Sequence, residues 1–123
     1  MNKHLKSIAL LSLSLALLAG CSREKPPEIV DTAKSADDAS KAFAAANAET
    51  KAAAAEAAQA LKAKDYAMSM TRLIQLKDAD GLTAEQRAAT AQAMNALVRD
   101  LRAAEQKGDV VASNVLEHYR RTK

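Results

Sequence analysis

Apolar residues recur at helical spacing in the second half of the chain. Three segments, 66–77, 84–107 and 110–121, place them three or four positions apart. Their apolar faces comprise Tyr66, Met70, Leu73 and Ile74 in the first, Ala91, Met94, Leu97, Val98 and Leu101 in the second, and Ala112, Val115, Leu116 and Tyr119 in the third. The pattern predicts three amphipathic helices whose leucines meet in a shared core.

Polar residues between these segments predict where the helices begin and end. Asp65 and Asp109 each precede an apolar face and serve as N-cap residues. Thr83 and Gln86 have the spacing of a capping box. Gly81 ends the preceding helix, because glycine adopts the left-handed conformation without steric cost.

Alanine dominates residues 28–63, which we predict to form one long helix. No glycine or proline interrupts this stretch, and alanine has the highest helix propensity. Two heptad rows can be drawn on it: Ala36, Phe43, Thr50 and Ala57, and Ala39, Ala46, Ala53 and Ala60. Such a seam could join a coiled-coil partner. Only Phe43 supplies a large side chain, however, so we favour a solvated spacer helix and expect truncation of Phe43 to have little effect on stability.

The amino-terminal 20 residues have the organisation of a secretory signal peptide. Lys3 and Lys6 lie in a short basic start, and 8–18 is an apolar run of leucine, alanine and serine. The run is shorter than the ~20 residues of a membrane-spanning helix.

The end of this segment, Leu18-Ala19-Gly20-Cys21, resembles the lipobox of bacterial lipoproteins. That resemblance implies cleavage between Gly20 and Cys21, a diacylglycerol on the Cys21 thiol and an acyl chain on the new amino terminus. Ser22 after the cysteine matches the sorting pattern for the outer membrane in enteric bacteria. Residues 21–27, with Pro26-Pro27, then form an extended tether.

Cys21 also has simpler interpretations. It could be a free thiol, one half of an intermolecular disulfide, or a buried cysteine of a cytosolic protein. None of these explains its position directly after the apolar run. We therefore favour lipidation.

The charge of the processed chain argues against nucleic acid as a partner. The sequence has 18 Lys and Arg against 15 Asp and Glu, and two of the lysines lie in the predicted signal peptide. The remaining chain is nearly neutral and has no basic face with interleaved aromatic residues. With one cysteine in the sequence, a disulfide within the chain and a thiolate metal cluster are both excluded.

No catalytic or metal-binding motif emerges from the residues. Asp78-Ala79-Asp80-Gly81 resembles part of a calcium-binding loop. If Gly81 were the turn glycine, however, Leu76 would occupy the first ligand position and Arg87 the bidentate position, and neither side chain can bind calcium. His118 is the only histidine after the signal peptide, and its sequence neighbours point away from it on a helix. We predict no enzymatic activity, no metal, no small-molecule substrate, and no cofactor beyond the lipid on Cys21.

Two further resemblances concern the mature chain. Lys64-Asp65-Tyr66 and Gly108-Asp109-Val110 resemble the helix-turn-helix junctions of tetratricopeptide-like proteins, although their spacing of 44 residues exceeds the usual ~34. They imply antiparallel helix pairs.

The alanine-rich helix and terminal Lys123 resemble murein lipoproteins, whose final lysine is joined to peptidoglycan. Thr122 before the lysine and the glycines at 81 and 108 depart from that family. A basic tail is the interpretation that we favour.

The sequence therefore predicts an all-α protein: signal peptide 1–20, lipid-anchored tether 21–27, long helix 28–63 and helical hairpin domain 64–123, about four helices after the signal. We expect a structural or protein-binding role at the periplasmic face of the outer membrane. The alternatives are a peptidoglycan tether through Lys123 and an accessory or inhibitor subunit of an envelope enzyme.

Overall fold

A computed structural model describes residues 30–123, and these residues form five α-helices and no β-strand. The helices are α1 (Thr32–Ala42), α2 (Ala48–Ala63), α3 (Tyr66–Lys77), α4 (Ala84–Gln106) and α5 (Val110–Arg121). The all-α prediction is thus confirmed for this part of the chain. The predicted signal peptide 1–20 and tether 21–27 lie outside the described residues.

Each helix begins after a side chain that accepts a hydrogen bond from the backbone N–H three residues later. The N-cap residues are Asp31, Asn47, Asp65, Thr83 and Asp109. The predicted caps Asp65 and Asp109 are confirmed. The predicted capping box is complete, because Gln86 Oε1 also accepts from the Thr83 N–H at 3.0 Å.

The predicted single helix over 28–63 is wrong, since this stretch forms two helices that fold back on each other. α1 starts at Thr32, residues 43–47 form a turn, and Asn47 caps α2. Phe43, directly after α1, is only 1% exposed and lies in the main hydrophobic cluster. One straight helix would hold the apolar faces of α1 and α2 apart, whereas the turn buries both.

The first four helices form a closed ring. α1 packs against α2 and α4, and α3 closes the ring between α2 and α4. α1 runs antiparallel to α4: Thr32 Oγ1 donates to Asp100, Gln92 Nε2 donates to Asp38 Oδ2 at 3.2 Å, and Gln86 Nε2 donates to the Ala42 carbonyl at 3.3 Å. The fifth helix, α5, packs on α3 and α4.

The core is continuous across the predicted boundary at residues 63 and 64. Its largest buried side chains are Phe43, Leu61, Leu73, Leu76, Leu97, Leu101 and Leu116. The expected meeting of Leu97 and Leu101 with leucines of the neighbouring helices is therefore confirmed. Many alanines of α1 and α2 belong to the same core, with Ala36, Ala39 and Ala57 fully buried. The favoured spacer interpretation is wrong, because the alanine-rich stretch buries its apolar face within this chain.

The two predicted breaks have the same backbone structure. Lys64 and Gly108 have positive φ angles of 56° and 87°. The next residue, an aspartate in both, donates its N–H to a carbonyl five residues earlier: Asp65 to Ala60 at 2.9 Å and Asp109 to Ala104 at 3.1 Å. This arrangement satisfies carbonyls that the end of a helix leaves without partners.

Candidate functional site

The predicted site residues fall at opposite ends of the chain. Gly20 and Cys21, the predicted cleavage and lipidation positions, lie outside the described residues. Lys123 is described and exposed, and its Nζ lies 4.9 Å from the centre of the Tyr119 ring. That distance is typical of a cation–π contact. The ammonium group of Lys123 is therefore held against α5.

The described chain begins beside the carboxyl-terminal half of α4. Arg99 Nη1 donates to the carbonyl oxygen of Val30 at 3.1 Å, and Thr32 donates to Asp100 one residue further along α4. Asp100 also lines a shallow cleft with Lys64 and Lys107. The start of α1, the α2–α3 turn and the α4–α5 turn consequently share one end of the molecule, which we call the turn end.

One carboxylate between α1 and α4 has a shifted pKa. The Asp38 side chain accepts a hydrogen bond from Lys34 Nζ at 2.9 Å, which lowers its pKa below the ordinary value of 3.8. Desolvation opposes this shift, while the positive charge of Lys34 and the hydrogen bond from Gln92 add to it. Asp38 is therefore ionised at neutral pH and links the two helices.

An apolar recess lies at the opposite end, between the end of α3 and the start of α4. This α3–α4 groove has a volume of about 280 Å³ and is lined by Lys77, Leu82, Arg87, Thr90, Ala91, Met94 and Asn95. Leu82 and Met94 form apolar walls. Arg87 donates through Nη1 to the Leu82 carbonyl, which positions its guanidinium at the wall.

The charge of the groove is positive. Lys77 and Arg87 have no carboxylate partner in the part of the chain that the structure describes. The loop acids Asp78 and Asp80 do not line the groove. Its chemistry therefore suits an apolar side chain accompanied by a carboxylate.

The sequence did not predict this groove. It placed Ala91 and Met94 on the buried face of α4. Met94 is buried, with only 8% of its surface exposed, but the neighbouring Ala91 is exposed. The groove forms where the end of α3 meets the start of α4, so that Lys77 and Arg87 line one recess. No local pattern encodes that meeting. The sequence feature nearest to the groove was Thr83 before α4, and it predicted only a helix cap.

His118 is exposed on α5. Among residues 30–123, no three His, Cys, Asp or Glu side chains are grouped so as to hold a metal ion. Within the same residues, no helix combines the length and apolar character needed to cross a membrane.

Comparison of the chain with protein-family models, with curated proteins and with solved structures finds no match. Residues 30–123 form a four-helix ring that carries one additional helix.

Proposed function

We propose that this protein is a lipid-anchored component of the bacterial cell envelope that binds another protein and catalyses no reaction. The observation that carries the proposal is the Leu18-Ala19-Gly20-Cys21 sequence at the end of a complete signal-peptide pattern. The anchor is the diacylglycerol and acyl chain on Cys21. The expected location is the periplasmic face of the outer membrane, on the strength of Ser22.

The geometry of the described residues is compatible with such an anchor. Residues leading from Cys21 enter the fold at Val30, at the turn end. The α3–α4 groove lies near the other end of α4, with Arg87 about 30 Å from Lys107 along the helix axis. A chain anchored through Cys21 would therefore be attached at the end opposite the groove, which leaves the groove open to a periplasmic partner.

The groove is the surface that best supports a binding role. It combines the apolar Leu82 and Met94 with two cations, Lys77 and Arg87. A partner side chain that fills the recess loses apolar area to water, and a neighbouring carboxylate can pair with either cation. This chemistry fits an acidic segment of an envelope protein. An accessory or inhibitor subunit would use the same surface.

A peptidoglycan tether through Lys123 is the second candidate. One observation favours it: Lys123 is exposed just after the end of α5. The contact of its ammonium group with Tyr119 weighs against it, because the amine must leave the ring before it can react. The binding role therefore remains the proposal that we prefer.

Crosslinking in intact envelopes tests the binding role with two matched variants. Ala91 and Ala88 are both exposed on α4, but only Ala91 lines the groove. Ala91→Arg fills the groove, whereas Ala88→Arg places the same side chain outside it, and arginine suits a helix in both. We expect the wild type and Ala88→Arg to be crosslinked to the same partner and Ala91→Arg to lose it. A partner that Ala91→Arg retains, or none in the wild type, contradicts the proposed site.

A further inference from the structure

The large apolar side chains that the structure leaves exposed are gathered at the turn end. In residues 30–123 they are Val110, Val111 and Met68, with 70%, 58% and 43% of their surfaces exposed. Val110 and Val111 open α5, and Met68 lies in the first turn of α3. The two turns are neighbours, because residues from both, including Tyr66 and Asp109, line one cleft.

Two exposed lysines accompany these side chains. Lys64 precedes α3 and Lys107 follows α4, and neither forms an ion pair within the described residues. The exposed acids Asp65 and Asp109 cap the adjoining helices: Asp65 accepts the Met68 N–H at 3.1 Å, and Asp109 accepts the Ala112 N–H at 3.0 Å. Apolar side chains flanked by flexible cations suit the boundary between lipid headgroups and acyl chains.

The chain from Cys21 arrives at this same end. Val30 is bound by Arg99, and Thr32 is bound by Asp100, which also lines the cleft between the two turns. Only residues 22–29 separate Cys21 from Val30, so their full extension is about 30 Å. A lipid on Cys21 would thus keep the turn end near the bilayer.

We propose that the turn end, through Met68, Val110 and Val111 with Lys64 and Lys107, rests on the phospholipid bilayer that holds Cys21. This inference rests on the proposed lipid anchor. A surface of three apolar side chains binds a bilayer weakly by itself. A short tether makes the contact intramolecular, at an effective concentration in the millimolar range, where weak binding is sufficient.

A bilayer fits this surface better than a protein does. Stable protein interfaces involve roughly 20–30 residues on each side and contain a well-packed centre. Here the exposed side chains are few, and they belong to the first turns of two different helices. A fluid lipid surface needs no complementary shape, so such a sparse set can insert into it.

The composition of the chain supplies a direct test. The sequence has one cysteine and no tryptophan, so Cys21 can be coupled to a maleimide lipid and a single tryptophan can report on its surroundings. The mature chain 21–123 is prepared as Val110→Trp, Met68→Trp and Ala45→Trp. Ala45 is exposed in the α1–α2 turn, at the other end of α1, and serves as the matched control. Circular dichroism verifies that each variant is folded.

Each variant is coupled to vesicles of phosphatidylcholine and phosphatidylglycerol in equal parts, with brominated acyl chains as quenchers. We expect tryptophan at 110 and at 68 to be quenched several-fold more strongly than at 45, with a blue-shifted emission. Quenching at 110 and 68 that does not exceed quenching at 45 overturns the proposal. A blue shift that appears without vesicles and grows with protein concentration also overturns it, in favour of a second copy of the chain.

The coupling chemistry separates this test from the proposed function. Lipid is attached to Cys21 in vitro, so the contact with the bilayer is measured whether or not cells modify that cysteine. An unmodified Cys21 in cells refutes the proposed anchor and leaves the vesicle result standing. Absence of quenching refutes only the orientation of the turn end.

Discussion

Arg99 of α4 donates a hydrogen bond from Nη1 to the carbonyl oxygen of Val30 at 3.1 Å. This bond fixes the place where the preceding chain enters the fold. It also begins a series of polar contacts that continues along α1 through Thr32 and Asp38 to the carbonyl of Ala42. The helix that follows the predicted tether is therefore integrated into the fold by both its apolar and its polar faces.

Asp38→Asn should weaken this attachment in a pH-dependent way. The lowered pKa of Asp38 means that the folded state favours the carboxylate, so the stabilisation is present above the ordinary value of 3.8. It is lost as the pH falls through the lower pKa of the folded state. Chemical denaturation should show the wild type as more stable than Asp38→Asn at neutral pH, with the difference vanishing in acid, below the pKa of the folded state. A difference that is the same at both pH values contradicts this assignment.

Truncation of Phe43 should destabilise the whole protein. The side chain is buried in the core shared by all five helices, and Phe→Ala in such a site typically costs about 3–5 kcal/mol. Leu101→Ala, at the fully buried centre of α4, should cost about 2–5 kcal/mol. The exposed Val111→Ala is the control, with an effect within about 0.5 kcal/mol.

Thermal or urea unfolding measures these changes. If Phe43→Ala were as mild as Val111→Ala, the first two helices would form a separate unit and the common core would be wrong.

The α2–α3 and α4–α5 turns each contain one residue with a positive φ, Lys64 and Gly108. Glycine at the first position and alanine at the second should therefore change the free energy of unfolding in opposite directions. Lys64 has a φ of 56°, a conformation that costs a side-chain-bearing residue free energy, so Lys64→Gly should raise the free energy of unfolding by about 1 kcal/mol. Gly108→Ala should lower it by about the same amount, because φ is 87°. No heavy atom lies within 4 Å of a Cβ placed on Gly108, so no steric clash adds to the backbone strain. Urea denaturation that moves both variants in one direction contradicts this explanation.

Lys123 separates the two candidate roles. We expect peptidoglycan sacculi, boiled in detergent and digested with muramidase, to release no carboxyl-terminal peptide that carries a muropeptide on Lys123. Deletion of Lys123 should leave the distribution between membrane and cell wall unchanged. Recovery of the adduct from wild-type cells would establish the tether and refute our preference for the binding role.

Local chemistry allowed much of the fold to be predicted. The residues that cap α3, α4 and α5, Asp65, Thr83 and Asp109, act through backbone groups within a few positions. Their sequence pattern was therefore sufficient. The same holds for the apolar faces built around Leu73, Leu97 and Leu116.

The break between α1 and α2 was missed because local propensity favours a helix there. Residues 43–47 contain no glycine or proline, and three of them are alanine. The turn forms because it lets Phe43 pack into the hydrophobic core. The free energy gained by this burial depends on residues that are distant in the sequence. Asn47, a favourable N-cap, was the one local signal. The α3–α4 groove was missed for the same reason, since it exists only after Lys77 and Arg87 are brought together.

The intact mass of the protein isolated from cell membranes tests the lipid anchor on Cys21. We predict a chain that begins at Cys21 and is heavier than residues 21–123 by a diacylglycerol and one acyl chain, and that enters the detergent phase on partitioning. Cys21→Ser should abolish the added mass and the detergent partitioning, while Ser22→Ala should retain both. A wild-type chain without added mass at Cys21, or a Cys21→Ser chain that still carries lipid, would refute the lipid anchor.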